Sequence, residues 1–340
     1  MTVLCLVEHD QGVVIDASLG ALAFARTLAQ SSGSEAPQEA PAAPLCAAAF
    51  AAPDALPLAA LRSSGVSDAY AIESDRLTSY APAAWARALA GLITVSSASA
   101  VVAAGTDRGH EVMAHLAAIT GVPMAANCVS AARSGPATCR IVRQRWAGSL
   151  LEDAELEASP ALLTVAVDAP ADAVAADPAT AAAPTRVHVH RPEIDDEDLR
   201  VRVIESAPPS AGISLASARV VIGGGRGVGG PDGFGALEEL ARLLGAAVGV
   251  SRVVTSQGWR PHEQQVGQTG TRISPELYLA CGISGAIQHM AGCLGAKHIV
   301  AINTDPGAPI IGRADYAVIG DLNEVIPALV AAIRARGSAD

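Results

Sequence analysis

Apolar and polar positions along the first 120 residues fall into two alternating patterns. Short runs rich in valine, leucine and buried-type alanine predict strands at 2–9, 44–50, 69–74 and 98–105, and alanine-rich stretches with apolar positions three to four apart predict helices at 18–29, 83–92 and 111–120. That alternation is the sign of a parallel sheet wrapped by helices. The segment 140–168 reads differently, as strand-like runs with only short polar breaks, and predicts an antiparallel extension. After it, 186–210 is read as a crossing towards a second domain, with the boundary at the proline pair of "SAPPS", 206–210.

From residue 218 the alternation restarts in clearer form. Strands are predicted at 218–224, 246–251, 277–282, 297–303 and 314–320, with helices at 234–247, 284–294 and from 321 onward. Leu237, Leu240, Leu243 and Leu244 supply the helical spacing of the first of these helices. The expected fold class is therefore α/β with two domains, 1–207 and 208–340, the second a doubly wound parallel sheet. Two stretches, 31–44 and 169–185, are rich in proline, alanine and acidic residues and are expected as solvated low-complexity excursions.

Composition narrows the function classes. Half of the residues are hydrophobic but only 3% are aromatic, and much of the apolar content is alanine scattered among prolines, glycines and charges, so no run of roughly 20 residues reads as a membrane span. The start, "MTVLCLVEHD", lacks a basic leader region and reads as a buried first strand, which points to a cytoplasmic protein. Six cysteines are spread over 340 residues without CxxC or Cys/His spacing, so reduced core thiols are expected and no metal site. A formal charge of -11 with no basic cluster argues against nucleic acid as a partner.

The candidate chemistry lies where strands of the second domain are predicted to end, because open α/β sheets bind ligands beyond their carboxyl edges. "GGGRGVGG" places glycines 225, 227 and 230 in G-x-G-x-x-G spacing directly after a strand. A dinucleotide loop would want an acidic residue at the end of the next strand, where Ser251 and Arg252 stand instead, and a plain tight turn is the other reading of the glycines. Arg226 within the loop favours an anion such as a pyrophosphate. "VGQTG" (266–270) and "GISGAIQHMAG" (282–292) then concentrate glycine with Gln268, Thr269, Ser284, Gln288 and His289, the second at an expected helix start that would attract phosphate. Asn303, Asp305 and Asp321 follow the later strands. Singly, His289 reads as a packed histidine, Arg252 as a rim ion pair and Thr269 as a turn cap; jointly they suit a large ligand with a diphosphate, a polyol and a flat ring.

Those motifs, in order from "GGGRG" through "SRVV", "QVGQTGTRISPELYLACGISGAIQHMAGC", "IVAINTDPGAPI" and "ADYAVIGDL", closely resemble the flavin domain of electron transfer flavoprotein alpha subunits from residue 218 to about 330. The amino-terminal half is similar more loosely, through "VLCLVEH", "AGTDRGHEVMAHLAAITGVPM" and "RQRWAGSL". The resemblance implies an FAD-binding second domain and a first domain of nucleotide-binding-like, adenine-nucleotide-hydrolase-like fold that holds no nucleotide itself. It implies an electron carrier without bond-breaking chemistry, working in fatty acid beta-oxidation as a heterodimer with a beta subunit that carries AMP. Its redox partners would be acyl-CoA dehydrogenases or similar flavoenzymes and a membrane quinone oxidoreductase.

By the same resemblance Arg226, Ser251, Ser284 and the segment Gly285, Ala286, Ile287, Gln288 would hold the diphosphate and its neighbourhood, Val266, Gly267, Gln268 and Thr269 would line the ring, and Asn303, Asp321 and Leu322 would meet the adenosine end. Arg252, Thr269 and His289 would tune the flavin: Thr269 near N5, Arg252 against the ring face, His289 at O2. A cation and a donor near the N1/C2=O region would stabilise the negative charge that a single added electron puts there. The rivals are a nicotinamide-dependent dehydrogenase using the glycine loop and a nucleotide-binding regulator without redox chemistry.

Overall fold

The computed structural model describes residues 2–10, 12–31, 43–146, 148, 150–167, 169, 184–204, 213–215 and 218–337. The low-complexity stretches expected at 31–44 and 169–185 and the boundary at 206–210 fall largely or wholly outside these residues. The chain divides into two compact units, Met1–Ser206 and Ala207–Asp340.

In the first unit, β1 (Thr2–Leu6) leads through a small hairpin of β2 (His9–Asp10) and β3 (Val13–Val14) into α1 (Asp16–Gln30). β4 (Leu45–Ala49), α2 (Leu58–Ser63), β5 (Asp68–Ile72), α3 (Pro82–Ser96), β6 (Ala98–Ala104) and α4 (Asp107–Thr120) continue the predicted alternation. Next come β7 (Met124–Arg133), β8 (Thr138–Arg145), β9 (Leu150–Glu157), β10 (Ala161–Val165) and β11 (Arg186–His190). They form one nine-stranded sheet in the order β11-β5-β4-β1-β6-β10-β7-β8-β9. Successive β1 side chains alternate between its faces: Val3 and Cys5 pack with Leu22 and Leu28 of α1, while Leu4 and Leu6 pack with Leu89 of α3 and Met113 of α4.

Two expectations are corrected in this unit. The antiparallel extension is confined to β8 and β9, β8 pairing antiparallel with β7 and β9 with β8. β10 instead inserts parallel between β6 and β7, because its unbroken buried run, Ala161 to Val165, has no polar face to turn to water. The first five residues of the segment expected to cross to the second domain, 186–190, form β11, an edge strand parallel to β5. Asp68 of β5 fixes it, accepting from both Arg186 Nε and Nη2 at 2.8 Å and lying 2.8 Å from His188 Nε2. The Arg186 hydrogen bonds, helped by His188, hold the Asp68 carboxyl below the usual carboxylate range although burial opposes this.

The second unit is a five-stranded parallel sheet of β12 (Val220–Gly224), β13 (Ala247–Val250), β14 (Leu277–Cys281), β15 (His298–Asn303) and β16 (Tyr316–Ile319). Its order, β13-β12-β14-β15-β16, reverses direction between β12 and β14. This is the doubly wound arrangement, and the reversal opens a crevice between those two strands. Helices α5 (Phe234–Leu244) and α8 (Leu322–Gly337) pack on one face with Ile222, Leu279 and Ile302; Val221, Tyr278 and Ala301 face the other layer. The first helix stops at Leu244, short of the predicted 247, because Gly245 takes a left-handed turn with φ 59°. The six cysteines are free and buried. Among the described residues, no helix is long and apolar enough to cross a membrane and no group of three potential ligands is arranged for a metal.

Candidate functional site

At the reversal point the chain leaves β12 and β14 in two glycine loops that press backbone to backbone. A side chain at Gly225 would sit 2.2 Å from the Gly282 carbonyl oxygen, and one at Gly282, whose φ is 63°, would sit 2.7 Å from the Gly227 Cα. The loops are tied by Gly225 N–H to Cys281 O at 2.8 Å and Gly227 N–H to Gly282 O at 3.0 Å. Those two amides are therefore committed to packing and are not free to cradle a pyrophosphate, as a nicotinamide-type loop requires.

A cleft of about 660 Å³, within the usual size range of ligand sites, opens beside this crossing. Every segment that lines it follows a strand. Arg226 and Gly227 come from the loop after β12, and Ser251, Arg252 and Val253 from the junction of β13 with α6 (Arg252–Ser256). Gln265 to Thr269 form one wall; Gly282 to Ser284, Ala286, Gln288 and His289 form another; Asn303 to Asp305 close the rim after β15. Twelve of the sixteen predicted positions thus meet at one surface: Arg226, Ser251, Arg252, Val266, Gly267, Gln268, Thr269, Ser284, Ala286, Gln288, His289 and Asn303.

Four positions stand apart. Gly285, with φ 80°, packs against Ile310, and Ile287 is 77% exposed outside the cleft. Asp321 Oδ1 accepts from Asn323 N–H at the start of α8, and Leu322 is buried against Gly282. The helix predicted at 284–294 is only α7 (Ile287–Met290), since the left-handed Gly282 and Gly285 keep 284–286 out of helical geometry. The consequence is local: the amides of Ser284, Gly285 and Ala286 have no acceptor among the described residues, leaving donors beside the cleft.

The charged and polar lining is held from behind. Neither Arg226 nor Arg252 makes an ion pair or a side-chain hydrogen bond among the described residues, and both are exposed, so their charge is available to an anion. Buried Gln265 donates through Nε2 to Thr269 Oγ1 at 3.0 Å and accepts from Thr255 Oγ1 at 2.6 Å. Gln268 N–H donates to Gln288 O at 2.7 Å, which ties the two walls together. Asn303 is more committed than expected, donating to Ile283 O at 2.9 Å and accepting from Asp305 N–H at 3.1 Å.

His289 is 7% exposed; its Nε2 lies 2.8 Å from the Tyr278 hydroxyl, and its Nδ1 has no hydrogen-bond partner in good geometry. Burial lowers its pKa to about 4, with the neighbouring Val266 backbone acting the other way. The imidazole is neutral at pH 7. Because the unfolded chain takes up this proton near pH 6.5 and the folded chain only near 4, stability falls as pH drops through that window, by roughly 3 kcal/mol from this group. Chemical denaturation of the full chain from pH 7 to 4 is expected to show that loss, and His289→Gln to flatten it; parallel curves for the two proteins would refute the assignment.

Gln265 and Tyr278 were not singled out by sequence. Gln265 sits one residue before "VGQTG" with nothing but polarity to mark it. Tyr278 had a signal, since a tyrosine in an otherwise apolar buried strand must find a polar partner.

Comparison with known proteins gives the same outline. Residues 3–192 match the family model described as the electron transfer flavoprotein domain, and 214–294 match the electron transfer flavoprotein FAD-binding domain. The chain is 37% identical to the electron transfer flavoprotein subunit alpha of Mycobacterium tuberculosis over 334 residues, 98% of each chain. It is 38% identical to the subunit alpha of Syntrophomonas wolfei over 79% of this chain and 83% of that one. It is also 35% identical to the protein FixB of Bradyrhizobium diazoefficiens, over 80% of this chain and 73% of the relative.

Proposed function

The chain belongs to the electron transfer flavoprotein family as an alpha subunit, and from that premise we propose that the cleft after β12 to β15 holds FAD and that the protein carries single electrons between flavoenzymes and a downstream acceptor. The observation that carries the reading is the convergence on one cleft of two guanidiniums and the Ser284 and Ala286 amides, all without partners among the described residues, with a neutral buried imidazole. Those groups fit an anionic, ring-bearing cofactor: they offer donors and positive charge, and the glycine crossing lets backbone approach closely. When bound, FAD supplies a ring that accepts and releases electrons singly.

In this reading Arg226 and the amides of 284–286 take the diphosphate, with Ser251 beside them. Val266, Gly267 and Gln268 wall the ring, and Thr269 offers its hydroxyl towards N5. Arg252 places a positive charge against the ring, while His289, neutral at pH 7, supplies a hydrogen bond without adding charge. Asn303 orders the rim for the adenosine end, and Asp321 and Leu322 act through the loop behind it. The partner would be a beta subunit carrying AMP, the donors acyl-CoA dehydrogenases or similar flavoenzymes, the acceptor a quinone oxidoreductase, and the place of action the cytoplasm.

The test is reduction of the purified alpha–beta pair by an acyl-CoA dehydrogenase and its acyl-CoA, followed by flavin absorbance. Bleaching of the pair's flavin at catalytic dehydrogenase concentration is expected. A pair that stays oxidised with every acyl-CoA dehydrogenase tried, yet is reduced by another flavoenzyme, would remove fatty acid oxidation from the proposal and leave electron carriage standing.

A further inference from the structure

We propose that Tyr278 is a positioning residue for the cleft: its hydroxyl donates to His289 Nε2, so the imidazole keeps its single proton on Nδ1 and offers a donor at the cleft wall instead of a lone pair. The inference rests on the flavin reading only for what that donor meets.

Tyr278 projects from the middle of β14 and is fully buried. Its hydroxyl reaches His289 through a slot that the neighbouring strand leaves open, since a side chain at Gly223 would lie 2.2 Å from the phenol oxygen. The pair shares one proton-mediated contact, at 2.8 Å between Oη and Nε2. Two proton arrangements are possible. If Nε2–H donated to the phenol oxygen, the phenol proton would have no acceptor among the described residues, and the Nδ1 lone pair would also be unmet. If the phenol donates to Nε2, only Nδ1–H remains unmet. A buried polar group without a partner is costly, so the arrangement that leaves one unmet instead of two is favoured.

Two further observations agree. Burial and the adjacent thiols raise the Tyr278 pKa well above that of a free phenol, so it keeps the proton it donates. The Val266 backbone lies close enough to the imidazole to favour a ring proton, and Val266 is itself a cleft wall. His289 lines the cleft with its Nδ1 buried, and we assign that Nδ1–H to a carbonyl edge of a bound ring. Tyr278 touches no ligand in this scheme; it acts through His289 alone.

The experiment uses the full chain co-produced with its beta subunit and labelled with 15N-histidine, with and without added FAD. Nitrogen shifts of His289 at pH 7 should report a protonated Nδ1 and a bare, hydrogen-bonded Nε2. Tyr278→Phe should move the population towards Nε2–H and make uptake of the first electron about tenfold less favourable, a shift of about 59 mV. In a His289→Ala background the same change should do nothing further, because the two act as one unit. The proposal is overturned by an Nε2–H signal in the unaltered protein, by an unmoved tautomer in Tyr278→Phe, or by an equal loss in both backgrounds. A pair that binds no FAD would overturn the flavin reading, while the tautomer measured without FAD still decides the role of Tyr278.

Discussion

Gly225→Ala is expected to yield an alpha chain that retains no FAD and whose second unit unfolds roughly 10 °C early. The added methyl would meet the Gly282 carbonyl oxygen at 2.2 Å, its carbon at 2.7 Å and the Ile283 Cα at 2.8 Å. All three are backbone atoms held by the hydrogen bonds that join the loops after β12 and β14, so no side chain can swing away. Relief requires parting the loops, which moves Gly282 to Ala286 and with them one wall of the cleft. Overpacking of this kind costs about 1 to 3 kcal/mol, and at the upper end that is several degrees to about 10 °C for a domain of this size. Gly230→Ala is the matched control: it alters the third glycine of the same motif, where the new methyl meets nothing within 4 Å. Thermal unfolding and flavin content of the two variants, side by side, check the claim; equal FAD retention in both would contradict it.

Arg252→Ala is expected to keep most of the FAD but to lower the potential for the first electron by about 60 to 130 mV. The figure follows from a charge-assisted contact of about 1.5 to 3 kcal/mol acting on the charge that arrives with the electron. Arg252 begins the short helix after β13, is exposed and lines the cleft. Nothing in the fold depends on its guanidinium, which has no ion pair or hydrogen bond among the described residues. Stability should therefore be nearly unchanged, and Arg252→Lys should recover part of the potential because the charge returns without the planar fork. Potentiometric titration of the heterodimer is the measurement, and an unaltered first potential would remove Arg252 from its assigned role.

Both predictions depend on features that the sequence displayed unequally. The strands of the second unit were plain because short apolar runs are closed by glycine, serine or asparagine, and their ends located the cleft. The glycine loop after β12 was visible too, but its physical role was not. Spacing suggested amides offered to a phosphate, whereas Gly225 and Gly227 spend theirs on the neighbouring loop. Long-range backbone packing of that kind leaves no periodic trace. The same limit hid β10, whose position between β6 and β7 is set by sheet order and not by local pattern.

The segment 284–294 shows the opposite failure. Its apolar spacing is helical, yet left-handed glycines at 282 and 285 keep 284–286 out of the helix, which covers only Ile287–Met290. His289 was legible as a candidate from its neighbours, but its neutrality and its bond to Tyr278 arise from burial, which only the folded chain creates. Asp321 and Leu322 illustrate proximity of another sort: one caps α8 and the other supports Gly282, behind the cleft and not on it.

The most direct measurement of the central claim is calorimetric titration of FAD, and separately of NAD, into the flavin-stripped heterodimer. Saturable uptake of one FAD by the alpha chain, undisturbed by NAD, is the predicted result. A well-folded pair that takes up no FAD, or from which NAD displaces it, would contradict the account.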